Sequence, residues 1–176
     1  MRYTKFFTIL AFSLAIGILG CSTDKKVEAP KQQGVEKNLV PAKAELKGPN
    51  FAVELSDLKV GMVIDTASKA ITETPNLRGH IKITNISKDV LDIQGVTLEY
   101  LDAAGKPIGF TSGEKIAKVY AFWKVLKPEE SSEGSLDATI PRMAVKEKAL
   151  GKIEINLVYV PSPLKRETLT LDGKVE

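Results

Sequence analysis

The sequence predicts an all-β domain, a sandwich or barrel of many short strands. Apolar side chains over most of the chain recur with period two, turn-forming residues interrupt these runs at regular intervals, and no long stretch past the N-terminus keeps the 3.6-residue period of a helix. Leu77, Gly79, Ile81 and Ile83 alternate with Arg78, His80, Lys82 and Thr84, which gives a strand one apolar and one polar face. Val96, Leu98 and Tyr100 repeat the pattern against Thr97, Glu99 and Leu101. So do Leu136, Ala138 and Ile140 against Ser135, Asp137 and Thr139, and Ile153, Ile155, Leu157 and Tyr159 against Lys152, Glu154, Asn156 and Val158. A strand apolar on one face needs a second layer to cover it.

Weaker alternation marks further candidate strands at Phe51–Leu55, Lys59–Asp65, Lys106–Thr111, Lys115–Leu126 and Thr168–Asp172. The runs are separated by Asn85-Ile-Ser-Lys-Asp89, Asp102-Ala-Ala-Gly105-Lys, Lys127-Pro-Glu-Glu-Ser131 and Pro161-Ser-Pro163, each supplying Asn, Asp, Gly or Pro where the chain must reverse. Arg142 to Leu150 is rich in Ala, Lys and Glu and precedes Gly151, so it reads as a short connecting helix with a glycine C-cap.

Three of these segments together, Gly79-His-Ile-Lys-Ile-Thr-Asn85, Val96-Thr-Leu-Glu-Tyr-Leu-Asp102-Ala-Ala-Gly105-Lys and Leu126-Lys-Pro-Glu-Glu130, resemble the FxLYD group of bacterial lipoprotein domains over roughly residues 76 to 140. The resemblance implies an immunoglobulin-like β-sandwich of about seven to nine strands, with no catalytic site.

The N-terminus carries a different signal. Arg2 and Lys5 precede an uncharged run from Phe6 to Leu19, the basic and apolar regions of an export signal. The run is shorter than the roughly 20 apolar residues that a spanning helix needs. It ends at Ile18-Leu19-Gly20-Cys21, which contains the only cysteine of the 176 residues. These four residues resemble the lipobox of bacterial lipoproteins, which implies cleavage before Cys21, a diacylglycerol thioether on its sulfur and acylation of the new amino group. The expected organisation is a signal peptide over residues 1–20, a lipidated N-terminus and flexible linker over 21–50, and the sandwich domain over 51–176. A linker of about 28 residues with mixed polar composition spans about 30 Å. The expected location is the cell envelope, the membrane being contacted through the lipid on Cys21. With Ser22 rather than Asp after the cysteine, the resemblance implies the periplasmic face of the outer membrane where the organism has two membranes.

Composition excludes several classes of function. Lys and Arg number 25 against 22 Asp and Glu, and removing Arg2 and Lys5 leaves a nearly neutral chain without the concentrated basic face that nucleic acid requires. Acylation of Cys21 leaves no thiol for a disulfide, metal or nucleophile. His80, the single histidine, falls on the polar phase of its strand between Arg78 and Lys82, whose charges oppose cation binding. Met62 and Met143 are isolated, and no loop carries regularly spaced Asp.

Motif searches give no enzyme. Gly109-Phe-Thr-Ser112-Gly113 misses the nucleophile-elbow spacing by one position, and the Ser-x-x-Lys matches at Ser22 and Ser112 lie beside Cys21 and in a loop. Glu129-Glu130 falls in a turn, and no phosphate-binding glycine motif follows a strand. The expectation is a protein that is not an enzyme, with no cofactor, no metal and no nucleic-acid partner.

One segment stands out. Between Phe110 and Lys127 lie Tyr120, Phe122 and Trp123, interleaved with Lys115, Lys118, Lys124 and Lys127. In strand phase, Ala117, Val119, Ala121, Trp123 and Val125 share one face and Tyr120 and Phe122 the other. Either neighbouring structure covers both faces, or Tyr120, Phe122, Lys118 and Lys124 form a contact surface. A helix also fits, since Ile116, Val119, Tyr120 and Trp123 follow i, i+3, i+4, i+7 spacing. The sequence therefore points to a lipid-anchored, non-enzymatic envelope module for protein–protein interaction or assembly support. The alternative is an accessory lipoprotein that binds a small ligand or substrate.

Overall fold

The period-two runs form strands, and their apolar faces meet. The computed structural model describes residues 31–146, 148–160 and 165–176. Cys21, the expected signal peptide and the first part of the expected linker lie outside the described residues. Strands β1 (Gln32–Val40), β2 (Ala44–Lys47), β3 (Phe51–Asp65), β4 (Asn76–Asn85) and β5 (Leu91–Asp102) come first. They are followed by β6 (Ile116–Val119), β7 (Val125–Leu126), β8 (Ser131–Thr139), α1 (Arg142–Lys146), β9 (Leu150–Val160), β10 (Lys165–Asp172) and β11 (Lys174–Val175).

These strands form two antiparallel sheets packed as a sandwich. One runs β11-β1-β3-β4-β8 with β2 also on β3, and the other runs β10-β9-β5-β6 with β7 also on β5. The chain changes sheet at β4–β5, at β7–β8, at β8–β9 and again at β10–β11, so strands distant in sequence become neighbours. This is the interleaving of an immunoglobulin-like sandwich. The strand total exceeds the expected seven to nine because β1, β2 and β11 extend the first sheet and β7 is a two-residue fragment.

The core lies between the sheets. Phe51, Val53, Leu58, Ile83, Leu98, Tyr100, Ile153 and Leu157 are almost wholly buried there. Tyr100 aligns edge-on with Phe110 at 6.3 Å between ring centroids, and its hydroxyl donates to the Thr139 carbonyl at 2.8 Å. Phe51 and Tyr159 form a second edge-on pair at 4.9 Å.

Several sequence expectations change. The linker reading fails for residues 32–47, because β1 pairs with β3 from Gln32↔Asp65 to Asn38↔Lys59 and β2 pairs from Ala44↔Leu55 to Lys47↔Ala52. Both strands bury little, β1 offering chiefly Leu39 and Val35 to the core, so backbone pairing rather than apolar period holds them. The two candidates Phe51–Leu55 and Lys59–Asp65 are one strand. A bulge between Ser56 and Lys59, with Asp57 at φ 55°, moves the buried set from Phe51, Val53 and Leu55 to Leu58, Val60 and Met62.

Lys106–Thr111 forms no strand beyond a bridge from Pro107 to Leu101. The described helix covers Arg142–Lys146, and Gly151 lies within β9 rather than capping a helix. A Cβ at Gly151 would stand 2.6 Å from the Ala103 nitrogen, so glycine serves close backbone approach there.

Candidate functional site

The aromatic segment owes its shape to a mismatch in strand length. β6 pairs with β5 from Val96↔Val119 to Glu99↔Ile116, and β7 pairs at Leu91↔Leu126 and Asp92↔Val125. Between these anchors β5 has Ile93 to Gly95, already bulged against β9, whereas the facing chain has Tyr120 to Lys124. The longer segment cannot stay in register and leaves the sheet edge. It is neither a helix nor a continuous strand Lys115–Leu126.

Alternation survives inside the segment. Ala121 and Trp123 turn inward beside Gly134 of β8, where a Cβ would lie 3.4 Å from the Ala121 methyl and 4.0 Å from the indole. Trp123 packs on the core while remaining partly open. Tyr120 and Phe122 consequently project outward, 82% and 91% exposed, and are not covered by neighbouring structure. Val125, expected on the buried face, is 51% exposed because the inward phase passes to Leu126.

Lys118 stands on β6 opposite Thr97 and is exposed. With Tyr120, Phe122 and Gln94 it borders an open groove of about 700 Å³. Lys124 lies on the other side of Phe122, where a second open groove of about 380 Å³ runs past Ser131 and Glu133. Its ammonium donates to Glu130 at 2.8 Å. That bond, then the Lys127 N–H, holds the Glu130 carboxyl below the usual carboxylate range. The structure thus gathers Lys118, Tyr120 and Phe122 around one groove, whereas Lys124 is already ion-paired and flanks the other.

Asn85 fixes the base of this region from within. Completely buried, its amide donates to the carbonyls of Asp89 at 2.7 Å and Leu126 at 3.0 Å, and its oxygen accepts from the N–H and hydroxyl of Ser87. Its backbone N–H donates to Glu130 and its carbonyl accepts from Glu129. One side chain therefore ties the β4–β5 turn to the strand that ends the aromatic segment. The sequence marked Asn85 as a turn residue and gave no sign of this clamp.

Elsewhere, His80 is exposed on the outer face of the first sheet, in register with Ser56 and Ser135. This face is a shallow open concavity of about 910 Å³, and across it Lys82 bridges Glu54 at 3.0 Å. Among the described residues, no three His, Cys, Asp or Glu side chains come together as a metal site would require. Enclosed space between the sheets, bordered by Leu55, Leu77, Leu98 and Ile153, amounts to about 10 Å³, roughly the room of one water. Neither Trp123 nor Tyr100 borders it.

Fold and surface together define an all-β sandwich with an exposed aromatic edge. No family model and no curated protein matches the chain. Among solved structures, the chain is similar to a conserved hypothetical protein from Bacillus anthracis at 12% identity and a TM-score of 0.36, covering 76% of this chain and 96% of that one.

Proposed function

We propose that this protein is a lipid-anchored, non-enzymatic module of the bacterial cell envelope that binds a protein partner through its aromatic edge. The observation that carries the reading is the exposure of Tyr120 and Phe122, 82% and 91%, beside Lys118. Large aromatic side chains left in water are unfavourable unless something covers them, and aromatic anchors dominate the energy of interfaces. The loop bearing them is pinned by Trp123 inside and by the Asn85 clamp, so the two rings are presented on a rigid base. The lipobox resemblance at Ile18-Leu19-Gly20-Cys21 supplies the anchor, and Ser22 favours the outer membrane. The small-ligand alternative has less support, because the space of about 10 Å³ between the sheets admits no metabolite.

The test is photo-crosslinking in native envelopes, with a photoreactive side chain placed at Phe122 and, as a control, at exposed Val90. An adduct of one discrete mass at position 122 and none at 90 is expected. Absence of any adduct at 122 refutes the contact surface. The anchor is tested separately: a Cys21→Ala variant that still resists salt washing of membranes refutes lipidation as the means of attachment.

A further inference from the structure

The strongest feature outside the aromatic edge is Glu167. It points into the sandwich from β10, in register with Leu157 of β9, and is 6% exposed. Neither carboxylate oxygen meets a donor in full hydrogen-bond geometry among the described residues, although the N–H groups of Phe51 and Asn50 and the Asn50 amide lie on its side. Its head lies against the backbone at Gly48, where a Cβ would fall 1.7 Å from Oε1, so only glycine leaves the carboxyl room. The nearby Asn50 amide donates to the Tyr159 hydroxyl at 2.8 Å.

Among the described side chains, none that is charged offsets this carboxyl from the elements packed on it. β9 presents Tyr159, whose hydroxyl is pushed up by burial and then by Glu167 itself. On β2, Lys47 and Glu45 are exposed and bridge one another at 3.0 Å. On β10, Arg166 is exposed on the other face. Burial pushes the Glu167 carboxyl up, and the donors of Phe51 and Asn50 only partly counter it. An ionised carboxylate that is buried and only partly satisfied is expensive to hold in such a place. β10 is also a free edge of its sheet, bonded on one side to β9 alone, so its start can part from the sandwich without breaking a second ladder.

We propose that Glu167 is a pH-operated latch. While neutral, it lets the start of β10 close over the β2–β3 turn; once ionised, it opens that corner and bares the Phe51–Tyr159 pair. The sign follows from the folded carboxyl holding its proton more tightly than the unfolded one. Closure is complete below the ordinary glutamate range and weakens as pH rises from there through the raised folded value. The latch stands on its own geometry and does not depend on the contact reading.

Amide hydrogen exchange of the full chain in detergent, from pH 4 to 8, tests it, with protection corrected for intrinsic exchange. Protection of Thr168–Leu171 should fall with pH, up to tenfold for each unit by which the carboxyl is raised, while that of Ile81 and Ile83 stays level. Glu167→Gln keeps the shape and removes the charge, so its β10 protection should be high and flat. Equal pH profiles in the two proteins overturn the proposal. Should the Gln variant not fold, carbon NMR of the Glu167 carboxyl in the wild type decides: a midpoint in the ordinary glutamate range overturns it, a raised midpoint that coincides with the loss of β10 protection supports it, and a raised midpoint without that loss overturns it.

Discussion

Removing both exposed rings separates a contact surface from a structural one. An aromatic side chain presents about 200 Å²; at 91% and 82% exposure, Phe122 and Tyr120 keep only about 20 and 35 Å² covered in the folded chain. At about 25 cal/mol per Å², their joint truncation should lower stability by no more than about 1.4 kcal/mol. Phe51→Ala, at a completely buried ring, should lower it by about 3–5 kcal/mol. Urea unfolding of the Tyr120→Ala, Phe122→Ala double variant beside Phe51→Ala measures both. If the rings are interface anchors, each contributes about 2 kcal/mol or more to binding, about thirtyfold in affinity. The double variant should then keep its fold and lose the partner adduct, read through a photoreactive group at Lys118. A loss of several kcal/mol in urea refutes the argument, since it would mean that the rings hold the edge shut.

Asn85→Ala removes two donors and an acceptor from buried or half-buried partners and orphans the Leu126 carbonyl, so about 2–4 kcal/mol of stability should go; thermal unfolding reads it, and a change below about 0.5 kcal/mol would show that the clamp is dispensable. Gly151→Ala forces a methyl to within 2.6 Å of the Ala103 backbone and should cost about 1–3 kcal/mol, whereas a helix C-cap reading predicts a few tenths; the same unfolding assay decides. Tyr100→Phe leaves the Thr139 carbonyl unpaired beside a buried ring and should lower stability by about 1–2 kcal/mol, with no effect on the crosslink at Phe122.

The central strands were legible because each presents one apolar face, and period-two alternation is the direct trace of that geometry. Legibility failed wherever a bulge shifted the phase. At Ser56–Lys59 one strand reads as two, and at Ile93–Gly95 the facing segment has too many residues to pair, so strand and helix patterns both fit it. It failed also at β1 and β2, whose pairing depends on backbone groups that every residue carries. Alternation put Tyr120 and Phe122 on the side opposite Trp123, but it left open whether that side is covered, and the structure shows that it is not. Which lysine is free was not readable, because the Lys124–Glu130 pair forms across a turn. Glu167 did leave a trace in the sequence, since it falls in phase with Leu169 and Leu171 on the apolar side of its strand. What the sequence could not show is the packing of Gly48 against its carboxyl.

The early start of β1 bears on what the aromatic edge faces. On the proposed lipid anchor at Cys21, about ten residues of sequence lie between the membrane and Gln32, and a flexible chain of that length reaches about 17 Å. Gln32 is level with Asp65, at one end of β3. Phe122 shares its groove with Ser132, which is in register with Ile83 and through it with Val53, near the other end. Twelve residues of strand, about 40 Å at 3.3 Å each, therefore separate the level of the tether from that of the rings. A domain standing on its tether holds Tyr120 and Phe122 well above the headgroups. To insert them, it would have to lie on the β8 edge, where Lys118 and Lys124 flank the rings and Glu133 and Asp137 stand on β8, a mixture of charges with no net preference for an anionic surface. On the proposed tether the distance works against that posture, and it leaves the rings open to a protein approaching from the side or from above.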